Sequence, residues 1–231
     1  MDNERYSLGP STDNGGYAGH GRINSIGFHP TDNNKIYVGT AGGGFWISED
    51  GGNTWMTTTD DLGALGVSGI AVDPVNPLNI YIATGDGDAA DNYSIGVYKS
   101  TDGGLTFAPT GLNWSSSGGN VIRRIIFDPS NANTLFVATN SGIYKTTDAG
   151  TTWNLKQSGN FYDIEANPNS VSNTFFASTS SSVFRSINAG ENWVATYTIS
   201  GSNRVSIAVT PTDTNYVYAL SSNSSNNGFK G

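Results

Sequence analysis

An eight-residue pattern occurs four times in this chain and fixes what it can fold into. Its copies are Ser48-Glu49-Asp50-Gly51-Gly52-Asn53-Thr54-Trp55, Ser100-Thr101-Asp102-Gly103-Gly104-Leu105-Thr106-Phe107, Thr146-Thr147-Asp148-Ala149-Gly150-Thr151-Thr152-Trp153 and Ser186-Ile187-Asn188-Ala189-Gly190-Glu191-Asn192-Trp193. The consensus is hydroxyl, any residue, Asp or Asn, small, Gly, any residue, polar, aromatic. An Asp or Asn side chain accepts hydrogen bonds from backbone N–H groups just beyond it and so shapes a turn. The Gly supplies a positive φ without steric cost. The aromatic then enters the next strand and packs beside its counterpart in the neighbouring copy. Asp50, Asp102, Asp148 and Asn188 with Trp55, Phe107, Trp153 and Trp193 are therefore expected to be structural.

Around each copy lies a longer repeat. Short runs rich in β-branched and aromatic residues alternate with Gly, Pro, Asn and Asp, the pattern of strands and turns. A first strand ends at Pro30, Pro74, Pro129, Pro168 and Pro211, with Ile26, Ile70, Ile125, Ile164 and Ile207 four residues earlier. A second recurs as residues 36–40, 80–84, 135–139, 175–179 and 217–221, and a third as 44–48, 96–100, 142–146 and 182–186. The prolines are separated by 44, 55, 39 and 43 residues, close to one four-stranded propeller blade. The expected fold is an all-β propeller of four-stranded antiparallel blades. The blades run about 22–60, 66–112, 120–158 and 160–198, with an incomplete fifth at 203–231 and a lead-in at 1–21.

The fifth unit holds two strands and then Gly228-Phe229-Lys230-Gly231, where a third should open. Half a blade leaves an unpaired strand edge. The expectation is a piece of a longer protein, or a blade completed by a partner chain; the lead-in residues Tyr6-Ser7-Leu8 are a third source of a closing strand.

The box pattern resembles the Asp-box, or BNR repeat, of sialidases, sortilin-like propellers and xyloglucanase-type hydrolases. With Leu8-Gly9-Pro10, Gly21-Arg22-Ile23-Asn24, Phe28-His29-Pro30-Thr31 and Ile36-Tyr37-Val38-Gly39-Thr40, the chain looks most like secreted Bacteroidetes-type BNR-repeat proteins. That resemblance implies secretion, often by the type IX route. It also implies that the boxes lie away from any active site. In xyloglucanase-type hydrolases a catalytic Asp follows the Thr of the first second-strand, where this chain has Ala41. The sialidase arginine motif is matched only by Arg22-Ile23.

Net charge is −8, which disfavours a nucleic-acid partner or an anionic membrane. No apolar run reaches membrane-spanning length, so no membrane insertion is expected. With no Cys there is neither a disulfide framework nor a Cys metal site. Met1 to Pro10 is polar and lacks a secretory leader pattern, so a secreted protein would have had its leader removed.

Chemistry is sought on the face opposite the boxes. The loop Asp86-Gly87-Asp88-Ala89-Ala90-Asp91-Asn92-Tyr93 is the outlier there. Asp86, Asp88 and Asp91 are candidate oxygen ligands for Ca²⁺, although Ala90 and the missing closing Glu depart from an EF-hand. A solvated acidic loop is the alternative. Tyr93 and Trp114 are candidate ligand contacts, Trp114 either as a platform for a sugar or protein or as packing over a blade edge. Arg124 and Asp163, at equivalent positions of adjacent blades, are expected to form a structural ion pair. No pair of opposed carboxyls is visible for glycoside hydrolysis. The chain thus reads as a non-enzymatic binding or scaffold module with a protein or glycan ligand. The alternative is part of a glycoside hydrolase, xyloglucanase- or sialidase-like, whose acids lie outside it.

Overall fold

The computed structural model describes residues 22–88, 92–168, 173–211, 216–226 and 228–229. Blade one is β1 (Ile23–Phe28), β2 (Ile36–Thr40), β3 (Phe45–Ser48) and β4 (Met56–Thr57). Blade two is β5 (Val67–Val72), β6 (Ile80–Thr84), β7 (Gly96–Ser100) and β8 (Ala108–Asn113). Blade three is β9 (Ile122–Asp128), β10 (Asn131–Thr139), β11 (Gly142–Thr146) and β12 (Asn154–Ser158). Blade four is β13 (Asp163–Ala166), β14 (Phe175–Ser178), β15 (Ser182–Ser186) and β16 (Val194–Thr198). A half blade follows, β17 (Ser202–Val209) paired with β18 (Val217–Asn223). Every pairing is antiparallel between neighbours in sequence. The inner strands β1, β5, β9, β13 and β17 stand side by side in that order around the axis.

Blades two, three and four have a neighbour on both faces, so their second strands are almost continuously buried rather than alternating, whereas β18 of the half blade alternates. Tyr37, Tyr81, Phe136 and Phe176, one from each second strand, are all buried. The cores lie between blades. One joins Tyr81, Ala83 and Val97 of blade two to Ile122, Ile125 and Val137 of blade three. The next joins Phe136 and Ile143 to Phe161, Ile164 and Trp193.

The boxes tie their own turns and then the blades to one another. In the first, the Ser48 hydroxyl donates to Asp50 Oδ1 (2.9 Å) and accepts from Gly52 N (2.8 Å). Thr54 donates its N–H to Asp50 Oδ1 (2.8 Å) and its hydroxyl to Oδ2 (2.7 Å). The second and third boxes repeat this set on Asp102 and Asp148. In the fourth, Asn188 Oδ1 accepts from Ser186 and from Asn192 N. Because Thr54 is held inside the turn, β4 begins only at Met56 and is two residues long.

Across blades, Thr58 donates to Gly104 O (2.6 Å), Tyr81 OH to Ala149 O (2.9 Å) and Lys145 Nζ to Ala189 O (2.7 Å). Each box from the second onward is thus bonded to the blade before it. Ser222 and Phe229 form an isolated antiparallel bridge, near the position where a third strand is expected from the sequence. Gly231 and Tyr6-Ser7-Leu8, the other expected strand-formers, lie outside the described residues.

Candidate functional site

The inner strands of the first three blades share an irregularity at one place. Ile23 pairs Thr40 and Ser25 pairs the adjacent Gly39, leaving Asn24 as an extra residue. Val67 and Gly69 do the same with Thr84 and Ala83, leaving Ser68. Ile122 and Arg124 do so with Thr139 and Ala138, leaving Arg123. These are β-bulges, which kink a strand and turn the extra side chain to a new direction. Asn24, Ser68 and Arg123 all line the same cavity of about 270 Å³ at the end of the axis away from the boxes. They also line a shaft of about 390 Å³ between β1, β5 and β9.

The rest of the mouth is charged. Arg22, Asp88 and Arg204 complete the cavity wall with Ile23 and Gly87. Asp86 is buried; its carboxylate is paired with the Arg22 guanidinium and accepts from Asn24 Nδ2 (3.3 Å) and Asp88 N (3.1 Å). Asp88 is half-exposed, paired with Arg204 and 3.5 Å from Arg22 Nη1. The hydrogen bond from Arg204 holds its carboxyl below the usual range, against the opposing effect of burial. Gly87 allows this turn to lie on blade three: a Cβ there would stand 2.8 Å from Ile122 O and 3.1 Å from Arg123 Cα.

Arg123 donates to Asn160 Oδ1 (2.7 Å) and Phe161 O (3.0 Å), and its guanidinium lies 4.1 Å from the centre of the Tyr162 ring. Arg204 lies over the same ring at 5.6 Å. Burial pulls the Arg123 guanidinium down, yet an arginine keeps its proton in such a setting. Tyr162 stands two residues before Ile164, as Asn24, Ser68 and Arg123 stand two before Ile26, Ile70 and Ile125. The same repeat position therefore supplies a mouth residue in four blades.

The residues expected from sequence divide as follows. Asp86 and Asp88 are at the mouth, their carboxylates taken by arginines, while Asp91 lies outside the described residues. Among the described residues no group of three His, Cys, Asp or Glu is placed to hold a metal ion. Tyr93 is exposed. Trp114 is half-buried on the interblade core, edge-on to Tyr144 with ring centres 6.0 Å apart. Arg124 reaches Asp163 at 3.8 Å but bonds Glu165 more closely, at 2.6 Å. Asp163 accepts from Ile207 N (3.0 Å), and burial raises both carboxyls above their usual range. Arg22 and Arg204 have no expected role in the sequence reading. Their signal there is position: Arg22, Arg123 and Arg204 stand four, two and three residues before the aligned isoleucines.

No protein-family model matches the chain. It is 33% identical over 159 residues to a probable oligoxyloglucan-reducing end-specific xyloglucanase of Neosartorya fischeri, a match covering 64% of this chain and 19% of that protein. It is 29% identical over 148 residues to a xyloglucanase of a Paenibacillus species, covering 59% of this chain and 14% of that one. The chain thus spans less than a fifth of the length of these relatives. Among solved structures it is similar to an ancestral GH74 enzyme, with a TM-score of 0.70 and 22% identity over 91% of this chain and 32% of that one. YCF48 bound to D1 peptide gives a TM-score of 0.61 at 17% identity, over 91% and 68%.

These relatives correct two expectations together, that the chain is a non-enzymatic binding or scaffold module and that it leans away from an enzyme. The matching curated proteins are glycoside hydrolases. In fold, the chain is a β-propeller of the type found in GH74 xyloglucanases and in YCF48.

Proposed function

We propose that this chain is part of a secreted glycoside hydrolase of the xyloglucanase type, supplying blades whose mouth face holds polysaccharide. The observation that carries this reading is the 33% identity over 159 residues to an oligoxyloglucan-acting relative. Secretion follows from the substrate, a polymer too large to enter a cell. The acids that cleave the glycosidic bond are assigned to blades outside this chain, for two reasons. Ala41 replaces the Asp implied by resemblance, and its N–H is bonded to Arg22 O (3.0 Å) at the mouth. Among the described inner-strand carboxyls, Asp163 and Glu165 stand two apart on one strand and so point to one side, while Asp128, at the other end of β9, is buried and accepts from Ser130. A glycosidase needs its carboxyls on opposite sides of the scissile bond. The exposed Tyr93 ring offers a stacking face for a sugar.

The test is reducing-sugar release from xyloglucan by the complete gene product and by residues 1–231 alone. Hydrolysis by the former and none by the latter is the expected pair. A complete product that binds xyloglucan without cleaving it would overturn the assignment.

A further inference from the structure

The structure assigns a carboxylate-binding subsite to the mouth of the axis, suited to a uronic acid residue of a glycan and occupied at rest by the protein's own Asp88. Among the described residues, three guanidiniums, Arg22, Arg123 and Arg204, line one cavity together with a single carboxylate, Asp88. Behind the wall, Asp86 is buried and committed to Arg22. Among the described residues, two carboxylates therefore face three guanidiniums. Arg123 is the one left over: its hydrogen bonds go to an amide oxygen and a backbone carbonyl. This local excess of positive charge sits in a chain of net charge −8.

The groups are set for a planar anion. Guanidinium forks match a carboxylate with two parallel hydrogen bonds. Arg123 is fixed by its bulge, its two acceptors and the Tyr162 ring, so its direction does not need to be established when ligand binds. Asp88 is held differently. Its side chain is 49% exposed and stands on a turn, with water on one side and Arg22 and Arg204 on the other. The bond between Asp88 N and Asp86 Oδ1 would keep the turn in place as a ligand displaces that side chain. A ligand carboxylate entering here exchanges one ion pair for another and adds contact with Arg123. Asn24 lines the cavity beside it and offers its amide oxygen to a sugar hydroxyl, while the buried Ser68 hydroxyl donates to Ala83 O (3.2 Å).

The choice of a sugar acid rests on the glycan-hydrolase reading; the carboxylate site itself does not. The experiment is isothermal titration of the 231-residue chain with glucuronate, glucose and acetate, on the parent and on Asp88→Asn. Glucuronate should bind, glucose should not, and acetate should bind more weakly than glucuronate. Asp88→Asn removes the internal competitor and should tighten glucuronate about tenfold. Arg123→Gln should abolish binding, and Arg204→Gln, at a more exposed side chain, should weaken it in a chain whose melting temperature is preserved. No change in glucuronate affinity on Asp88→Asn would overturn the proposal, as would equal binding of glucose. Equal affinity for acetate and glucuronate would overturn the sugar. None of these outcomes depends on whether the complete gene product cleaves xyloglucan.

Discussion

Replacing the glycine at the fifth position of each box with alanine should destabilise the four blades unequally, in an order set by what lies across the blade interface. Gly52, Gly104, Gly150 and Gly190 all have positive φ, between 77° and 95°. Each substitution therefore carries a backbone cost of about 1 kcal/mol. The steric cost differs. At Gly52, with no blade before it among the described residues, the nearest atom to a new Cβ is Trp55 Cζ2 at 3.6 Å, an ordinary contact. At Gly150 the nearest are Thr110 Cγ2 at 3.2 Å and Tyr81 Cε1 at 3.3 Å. At Gly104 it is Phe45 Cε1 at 2.8 Å, and at Gly190 Phe136 Cε1 at 2.3 Å. Phe136 cannot retreat, because it is fully buried against Phe175 with ring centres 4.6 Å apart. Overpacking of this kind costs about 1–3 kcal/mol. The expected totals are about 1 kcal/mol for Gly52→Ala and about 2–4 kcal/mol for Gly190→Ala, with Gly150→Ala and Gly104→Ala between them in that order. In a chain of this size that is a fall in melting temperature of about 2–4 °C for the first and about two to four times as much for the last. Urea unfolding followed by tryptophan fluorescence and by circular dichroism would measure it, the two probes also testing whether the blades unfold together. Four equal losses would refute the reasoning, since the box glycines would then serve their own turns and not the fit between blades.

Three further outcomes are expected. Hydrogen bonds led by the Thr106 and Thr152 hydroxyls depress the Asp102 and Asp148 carboxyls from 3.8 to about 2. Their stabilisation is complete above the unfolded value and is lost as pH falls toward 2, so acid melting should steepen below about pH 4. The raised carboxyls of Asp163 and Glu165 work the opposite way on acidification, and an Asp102→Asn, Asp148→Asn double variant that still melts as steeply in acid would count against the boxes as the cause. Ala149 and Ala189 sit at φ of 55° and 56°, so Ala149→Gly and Ala189→Gly should each raise the melting temperature by about 1–3 °C; a fall would show that the left-handed turn is not strained. Trp193 donates to Gly190 O (3.1 Å), whereas Trp153 Nε1 is buried without a partner among the described residues. Trp153→Phe should be neutral within about 1 kcal/mol and Trp193→Phe should cost about 2 kcal/mol, compared by chemical denaturation; equal costs would deny the indole bond a role.

The blades were legible in the sequence because their signals are local. A box closes its turn within four residues, Asp50 to Thr54, and the turn residue His29 accepts from Asp32 N only three residues on. The mouth was not legible, because it depends on register and on distant approach. Whether Arg123 is paired or extruded follows from a one-residue slip against Ala138 and Thr139, which no hydrophobic pattern reveals. Arg204 and Asp88 meet across 116 residues of chain. Arg124 was matched to Asp163 from repeat position alone, while Glu165, two residues further on the same face, offers the shorter bond. The acidic loop showed its carboxylates in sequence, but not that arginines from the first and fifth blades would reach them.

The recurring bulge separates what the strand must do from what the axis displays. A strand whose side chains alternate normally ties every position to one face, and changing a residue disturbs either the core or the neighbouring strand. An extra residue belongs to neither ladder. In this chain it is an amide in one blade, a hydroxyl in the next and a guanidinium in the third, on backbones that are otherwise alike. The propeller thereby carries a small ring of exchangeable positions. A new ligand preference can be written there one blade at a time, without renegotiating the packing that holds the blades together.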